Sequence, residues 1–214
     1  TLDYETPMNG TDYTVANHLS KSAELIKTLK SYETEDISKL MGLSSNLAFL
    51  NFERYQSWKK PTKPSADARQ AVFAFQGDVY QGLEAATMKK GDLKFAQKHL
   101  RILSGLYGVL KPLDLMAPYR LEMGTKLATK KHDDLYGFWK DTLTVDINAQ
   151  LAEQKDSTLI NLASNEYFNA LNKKDIAGDI VSPVFKDFKN GDYKIISFFA
   201  KKARGMMARY IIDN

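Results

Sequence analysis

The sequence contains no cysteine in its 214 residues. This absence excludes disulfide bonds, thiolate metal sites and every reaction that needs a cysteine nucleophile. The only histidines are His18, His99 and His132, which are far apart in sequence and have no His-x-x-His or Glu-x-x-His spacing. Because transition metals are usually held by clustered cysteine and histidine side chains, we expect no metal site. The sequence also contains no G-x-x-x-x-G-K-S/T and no G-x-G-x-x-G motif, so we expect no cofactor.

Long apolar runs are also absent. No stretch approaches the roughly 18 apolar residues that a membrane helix needs, and no signal-peptide pattern is present. The sequence therefore predicts a cytoplasmic protein with no membrane partner. Its 30 basic and 26 acidic residues leave a net charge of only +4. A binding site for an anion must then come from local clustering of cations, and not from the charge of the whole chain.

Hydrophobic spacing and turn residues predict helices and strands that alternate along the chain. The predicted helices cover residues 16–30, 34–42, 45–59, 92–103, 134–153 and a last one from about 201. The predicted strands cover residues 71–75, 119–123 and 158–162, with a hairpin of 180–188 and 193–199 around Asn190-Gly191. The fold class is therefore α/β or α+β, a mixed sheet surrounded by helices. With 43% hydrophobic residues, residues 1–214 are expected to form a single globular domain.

The most informative basic cluster follows the apolar run 195–199. Lys201, Lys202 and Arg204 are predicted to lie in the first turn of the last helix, where each cation opposes the helix dipole by roughly 0.3–1 kcal/mol. A helix start with uncompensated cations is a candidate site for phosphate or carboxylate. At 100° per residue Arg209 lies on the same side of the helix, opposite an apolar side. The alternative is a surface helix with solvated lysines.

A second cluster surrounds the turn Gly105-Leu-Tyr-Gly108. Lys98 and Arg101 precede the turn on a predicted helix, and Lys111 follows it. Paired glycines let the backbone approach a phosphate and present amide groups to it. The alternative is a helix C-cap and turn, which needs glycine for positive φ alone.

A third cluster lies where the predicted strand 158–162 gives way to a helix. Asn161, Ser164 and Glu166 stand at the carboxyl end of that strand, the place where α/β sheets position ligand groups. Together with Lys201 they are candidate catalytic residues of an enzyme that acts on a small anionic substrate. The alternative makes Ser164 the N-cap of the next helix and places Glu166 favourably in its first turn.

Four stretches, in order over nearly the whole chain, closely resemble the YaaA family of bacterial peroxide-stress proteins. They are residues 68–82, 103–124, 161–168 and 194–205. The resemblance implies a role in surviving hydrogen peroxide by limiting free intracellular iron. It also implies DNA binding through a helix-hairpin-helix element and a basic cleft. Members of the family usually have a short strand before the first residue of this chain and a tail beyond its last, and both are expected to be absent here.

Carried over to this sequence, the resemblance assigns two groups of residues to DNA binding. The helix-hairpin-helix turn would be Gly105 to Gly108 with Lys98, Arg101 and Lys111. The cleft would use Lys201, Lys202, Arg204 and Arg209. With no cysteine and no histidine pair, the protein is not expected to destroy peroxide by thiol or metal chemistry. Two hypotheses remain, a protein that binds the DNA backbone without reading its sequence, and an enzyme acting near Asn161, Glu166 and Lys201.

Overall fold

The computed structural model describes residues 2–6 and 12–214 of the chain. Its α-helices are α1 (Leu19–Leu29), α2 (Thr34–Met41), α3 (Ser45–Ser57), α4 (Ala71–Ala74), α5 (Asp78–Leu83), α6 (Lys90–His99), α7 (Leu135–Ala152), α8 (Asn165–Phe168) and α9 (Ser197–Asp213). Short 3-10 helices span Ala85–Thr87 and Lys173–Asp175. Among the helices so described, none is long and apolar enough to cross a membrane.

The strands are short and pair in small sheets. They are β1 (Thr14–Val15), β2 (Arg69–Gln70), β3 (Ile102–Ser104), β4 (Gly108–Leu110), β5 (Asp114–Met116), β6 (Thr158–Ile160), β7 (Asp179–Val181), β8 (Asp187–Lys189) and β9 (Asp192–Lys194). β5 lies between β1, which is parallel to it, and β2, which is antiparallel. β3 pairs with β4 and β8 with β9 in antiparallel hairpins, whereas β6 and β7 are parallel. The predicted mixed fold class is confirmed, with the strands spread over several small sheets among the helices.

Capping residues explain why several helices begin and end where the sequence predicts. The Glu33 amide donates to Asp36 Oδ2 at 3.0 Å at the start of α2, and Gly42 ends that helix with a φ of 61°. At the start of α7, Asp134 Oδ1 accepts from the Gly137 amide at 2.8 Å. Each contact satisfies backbone groups that a helix end leaves unpaired.

The larger apolar core lies between α7, α1 and the β3–β4 hairpin. Trp139 of α7 is fully buried, and its Nε1 donates to the Gly105 carbonyl oxygen at 2.9 Å. Tyr107 is buried in the same core, where Trp58 Nε1 donates to its hydroxyl at 3.0 Å. Because burying one large apolar side chain contributes about 1.5–3 kcal/mol, these contacts hold the hairpin against α7 and against the end of α3.

A smaller core joins α4, α5, α6 and α9. Its buried members include Phe73, Leu83 and Ala208. α5 and α9 cross at two glycines: a Cβ on Gly82 would lie 2.2 Å from the Lys202 carbonyl oxygen, and a Cβ on Gly205 would lie 1.8 Å from the Val79 carbonyl oxygen. Since real Cβ atoms do not approach so closely, only glycine at these positions permits the observed backbone contact.

Four strand predictions are wrong in whole or in part. The predicted strand 180–188 is two short strands, β7, which pairs with β6, and β8, which pairs with β9. Residues 71–75 form the helical turn α4, because a short buried apolar run has no periodicity that separates a strand from a helix. Residues 119–123 lie in no strand. The Asn190-Gly191 hairpin is confirmed, with φ of 54° and 84° at its turn, but its second strand ends at Lys194. The following residues turn into α9, and Phe198 and Phe199 are 55% and 52% exposed, so they do not form a buried strand.

Candidate functional site

The early start of α9 moves its cations away from the helix N-terminus. Lys201, predicted in the first turn, is the fifth residue of a helix that begins at Ser197. The dipole effect falls off within the first turn, so the predicted anion site at a helix start is wrong in that form. Lys201 and Lys202 are both exposed. Neither takes part in an ion pair with the described part of the chain.

The two arginines of α9 hold the helix in place. Arg209 donates through Nε to both carboxylate oxygens of Asp213 at 2.8 Å, and through Nη1 to Thr87 Oγ1 at 2.7 Å and to the Glu84 carbonyl oxygen at 3.1 Å. Arg204 donates to the Ala200 carbonyl oxygen at 3.3 Å, and its burial lowers the pKa of the guanidinium. Both guanidinium groups, predicted to bind nucleic acid, are thus engaged within the protein.

The Gly105–Gly108 turn lies inside the core and joins two strands. α6 ends at His99, so the turn connects β3 to β4 and is not a helix-hairpin-helix element. A Cβ on Gly105 would lie 2.2 Å from the Leu121 carbonyl oxygen, and a Cβ on Gly108 would lie 2.6 Å from the Trp139 ring. Both glycines are buried. Protein atoms already occupy the space beside both glycines, so packing within the protein is enough to require glycine at these positions.

Arg101 and Lys111 line a cavity of about 150 Å3 that they share with carboxylates. Asp114, Asp146 and Glu153 belong to the same lining. Arg101 Nη1 donates to the Leu100 and Gln97 carbonyl oxygens at 2.6 Å and 3.2 Å, and burial lowers its pKa. Carboxylates beside these cations weaken their attraction for a polyanion. These two residues are consequently poor contacts for a nucleic-acid backbone.

The polar cluster after β6 is used structurally. Ser164 is the N-cap of α8 and its hydroxyl accepts from the Tyr167 amide at 3.4 Å, which confirms the capping interpretation. Glu166 Oε1 accepts from the Gly124 amide at 2.9 Å. Asn161 Oδ1 accepts from the Ala163 amide at 3.1 Å, and its Nδ2 donates to Ser182 Oγ at 3.2 Å.

α9 reaches this polar cluster through an arginine. Arg204 Nη1 lies 3.5 Å from the Leu162 carbonyl oxygen, next to Asn161. The side chains of Asn161, Ser164 and Glu166 each accept a hydrogen bond from a backbone amide, so each has a structural role. Within residues 2–6 and 12–214, no three His, Asp or Glu side chains are grouped closely enough to hold a metal ion.

The structure draws attention to a surface of α6 that the sequence analysis mostly missed. Lys90, Lys94 and Lys98 recur every four residues and fall within an arc of about 80° of the helix, and all three are exposed. Phe95 and His99 occupy the neighbouring arc, with ring centroids 4.3 Å apart and planes at 28°. The i, i+4 spacing of the lysines is visible in the sequence, and of these five residues only Lys98 is among the predicted binding residues. We call these five residues the α6 surface.

Among residues 2–6 and 12–214, no acidic side chain forms an ion pair with a lysine of the α6 surface. The only acidic residue of α6 is Asp92, and its Oδ2 accepts from the Lys89 amide at 2.7 Å at the start of the helix. None of these three lysines is in a salt bridge with the part of the chain that the structure describes. On its inner side α6 packs with Leu93 in the same core as Ala208 of α9. The α6 surface therefore faces solvent, while the opposite side of the helix packs against the protein.

Comparison with known proteins supplies the family context. A family model described as "Peroxide stress protein YaaA" matches residues 1–214. The chain is 55% identical over 214 residues to a UPF0246 protein of Shewanella woodyi, and 55% identical over 214 residues to one of Hahella chejuensis. It is 56% identical over 213 residues to a UPF0246 protein of Saccharophagus degradans. Each match covers 100% of this chain and 83% of the relative.

Proposed function

The chain belongs to the peroxide stress protein YaaA family, and from that premise we propose that it acts in the peroxide stress response by binding DNA through its phosphate backbone. The observation that carries the proposal is the row of exposed lysines Lys90, Lys94 and Lys98 on α6. Cations that track one face of a helix and lack acidic partners suit the evenly spaced charges of a nucleic-acid backbone. The proposal places the protein in the cytoplasm, where bacterial DNA lies.

Contacts made by lysine ammonium groups carry no sequence information. Lysines bind phosphates as point charges, whereas sequence is read by bidentate contacts to base edges. Lys201 and Lys202 of α9 add two exposed cations on a helix that shares a core with α6. Binding is therefore expected to be independent of sequence and strongly weakened by salt.

The test neutralises part of the lysine row. Lys94→Gln together with Lys98→Gln should weaken binding to duplex DNA in titration calorimetry. The slope of log K against log salt should become shallower by about 1.8, since each lost phosphate contact removes about 0.9. The matched control is Lys27→Gln together with Lys39→Gln, which removes two exposed lysines from α1 and α2. Equal losses in both double variants, or no binding by the wild type at low salt, would refute the assignment.

Limitation of free iron is the second part of the proposed function, and it rests on the family resemblance alone. We propose that it is indirect and follows from nucleic-acid binding. Cells that carry the Lys94→Gln, Lys98→Gln variant should then show as much free iron after peroxide as cells without the protein, measured by electron paramagnetic resonance of chelated iron. Normal iron control by a variant that no longer binds DNA would separate the two activities and refute the link.

A further inference from the structure

The α6 surface carries an aromatic pair beside its lysine row. The rings of Phe95 and His99 are stacked, with centroids 4.3 Å apart and planes at 28°. Phe95 is 40% exposed, and His99 is exposed as well. Lys94 and Lys98 lie immediately before them in sequence and on the adjoining arc of the helix. An accessible aromatic surface and a row of cations are thus held side by side by one helix.

An aromatic pair of this kind has two possible roles. Neighbouring rings at i and i+4 stabilise a helix, but that role does not require them to stand among unpaired cations. Flat aromatic rings among cations are the arrangement that binds single-stranded nucleic acids, because bases stack on the rings while the phosphates meet the cations. The combination of both features on neighbouring arcs of the exposed half of one helix favours the second role.

We propose that the Phe95–His99 pair is a stacking platform for unpaired bases, so that the α6 surface takes single-stranded DNA in preference to a duplex. This inference rests on the proposed binding of DNA phosphates. In a duplex each base face is covered by the neighbouring base pairs, so a ring on the protein surface gains a stacking partner only where bases are free. The lysines alone do not distinguish the two forms of DNA, whereas the aromatic pair does.

The experiment separates bases from phosphates. The probes are an oligothymidylate of about 16 nucleotides, within the range of known single-strand sites, and a strand of equal length made of abasic sites, which keeps the phosphates. The wild type should bind the oligothymidylate more tightly than the abasic strand and more tightly than a duplex of the same length. Phe95→Leu, which keeps an apolar side chain, should weaken oligothymidylate binding about tenfold and leave abasic binding unchanged.

A control variant and the possible contrary results distinguish base stacking from the proposed binding of DNA phosphates. Phe49→Leu makes the same change at another exposed phenylalanine, on α3, and should alter neither affinity. If Phe95→Leu weakens both strands equally or neither, or if the duplex binds more tightly, stacking is refuted. The proposed backbone binding survives that result when Lys94→Gln with Lys98→Gln still weakens binding. If the wild type binds no DNA at low salt, both proposals fail.

Discussion

At the scale of single residues, two glycines with positive φ differ in how closely the protein packs around them. Gly108 has a φ of 72°, and a side chain there would meet the Trp139 ring. Gly42 also has a positive φ, of 61°, but has open space around its Cβ position. The two positions therefore share a backbone requirement and differ in packing. Sequence alone shows two glycines of the same kind, because the contact with Trp139 comes from a residue 31 positions away.

This difference gives a prediction for two alanine substitutions. Gly108→Ala should lower the free energy of unfolding by about 2–5 kcal/mol, which combines about 1–2 kcal/mol for the left-handed backbone with about 1–3 kcal/mol for overpacking against the ring. Gly42→Ala should lower the free energy of unfolding only by the backbone contribution of about 1–2 kcal/mol. Urea denaturation followed by circular dichroism measures both. Equal losses would show that the Trp139 ring yields easily to a new side chain.

At the scale of whole elements, the helices with clear ends were predictable and the short apolar runs were not. α1, α2, α3 and α7 agree with prediction because apolar periodicity and caps both mark them. Residues 71–74 are buried throughout, so their sequence has no alternation to reveal a helical turn. In the candidate site, the exposure of Lys98, Lys201 and Lys202 agrees with the sequence prediction. The burial of the Gly105–Gly108 turn could not be predicted, because it depends on contacts with residues far away in sequence.

The crossing of α5 and α9 carries the element-scale prediction. Gly205→Ala should force the two helices apart and lower the free energy of unfolding by about 1–3 kcal/mol, outweighing the gain of up to about 1 kcal/mol in helix propensity. Gly91→Ala is the control, because it makes the same change in α6 where the Cβ position is open, and it should stabilise. Thermal unfolding compares them. A stabilised Gly205→Ala variant would contradict the tight crossing.

At the scale of the molecule, two apolar cores are joined through α4 and Tyr80. Ala71 and Ala74 pack in the larger core, Val72 and Phe73 in the smaller one, and Tyr80 packs against both. Since neighbouring residues of one helical turn belong to different cores, loss of either core disturbs the other. The arrangement supports the expectation of one cooperative unit over the chain.

Differential scanning calorimetry can test whether the two cores unfold together. We predict one thermal transition whose calorimetric enthalpy equals the van't Hoff enthalpy. Tyr80→Ala, which removes the side chain common to both cores, should lower the transition temperature and broaden the transition. Gln81→Ala, at an exposed neighbouring position of α5, should leave it unchanged. Two separate transitions in the wild type would mean that the cores unfold independently.

The burial of both tryptophans in one core determines which optical signals the protein offers. Trp58 is 9% exposed and Trp139 is fully buried, and both belong to the larger core. Their fluorescence should therefore change when that core unfolds and change very little when a ligand binds to α6. Because the chain contains no cysteine, Gly91→Cys would provide a unique thiol at an open position of α6. The fluorescence of a dye attached to that thiol would report ligand binding at the α6 surface, which the two tryptophans do not detect.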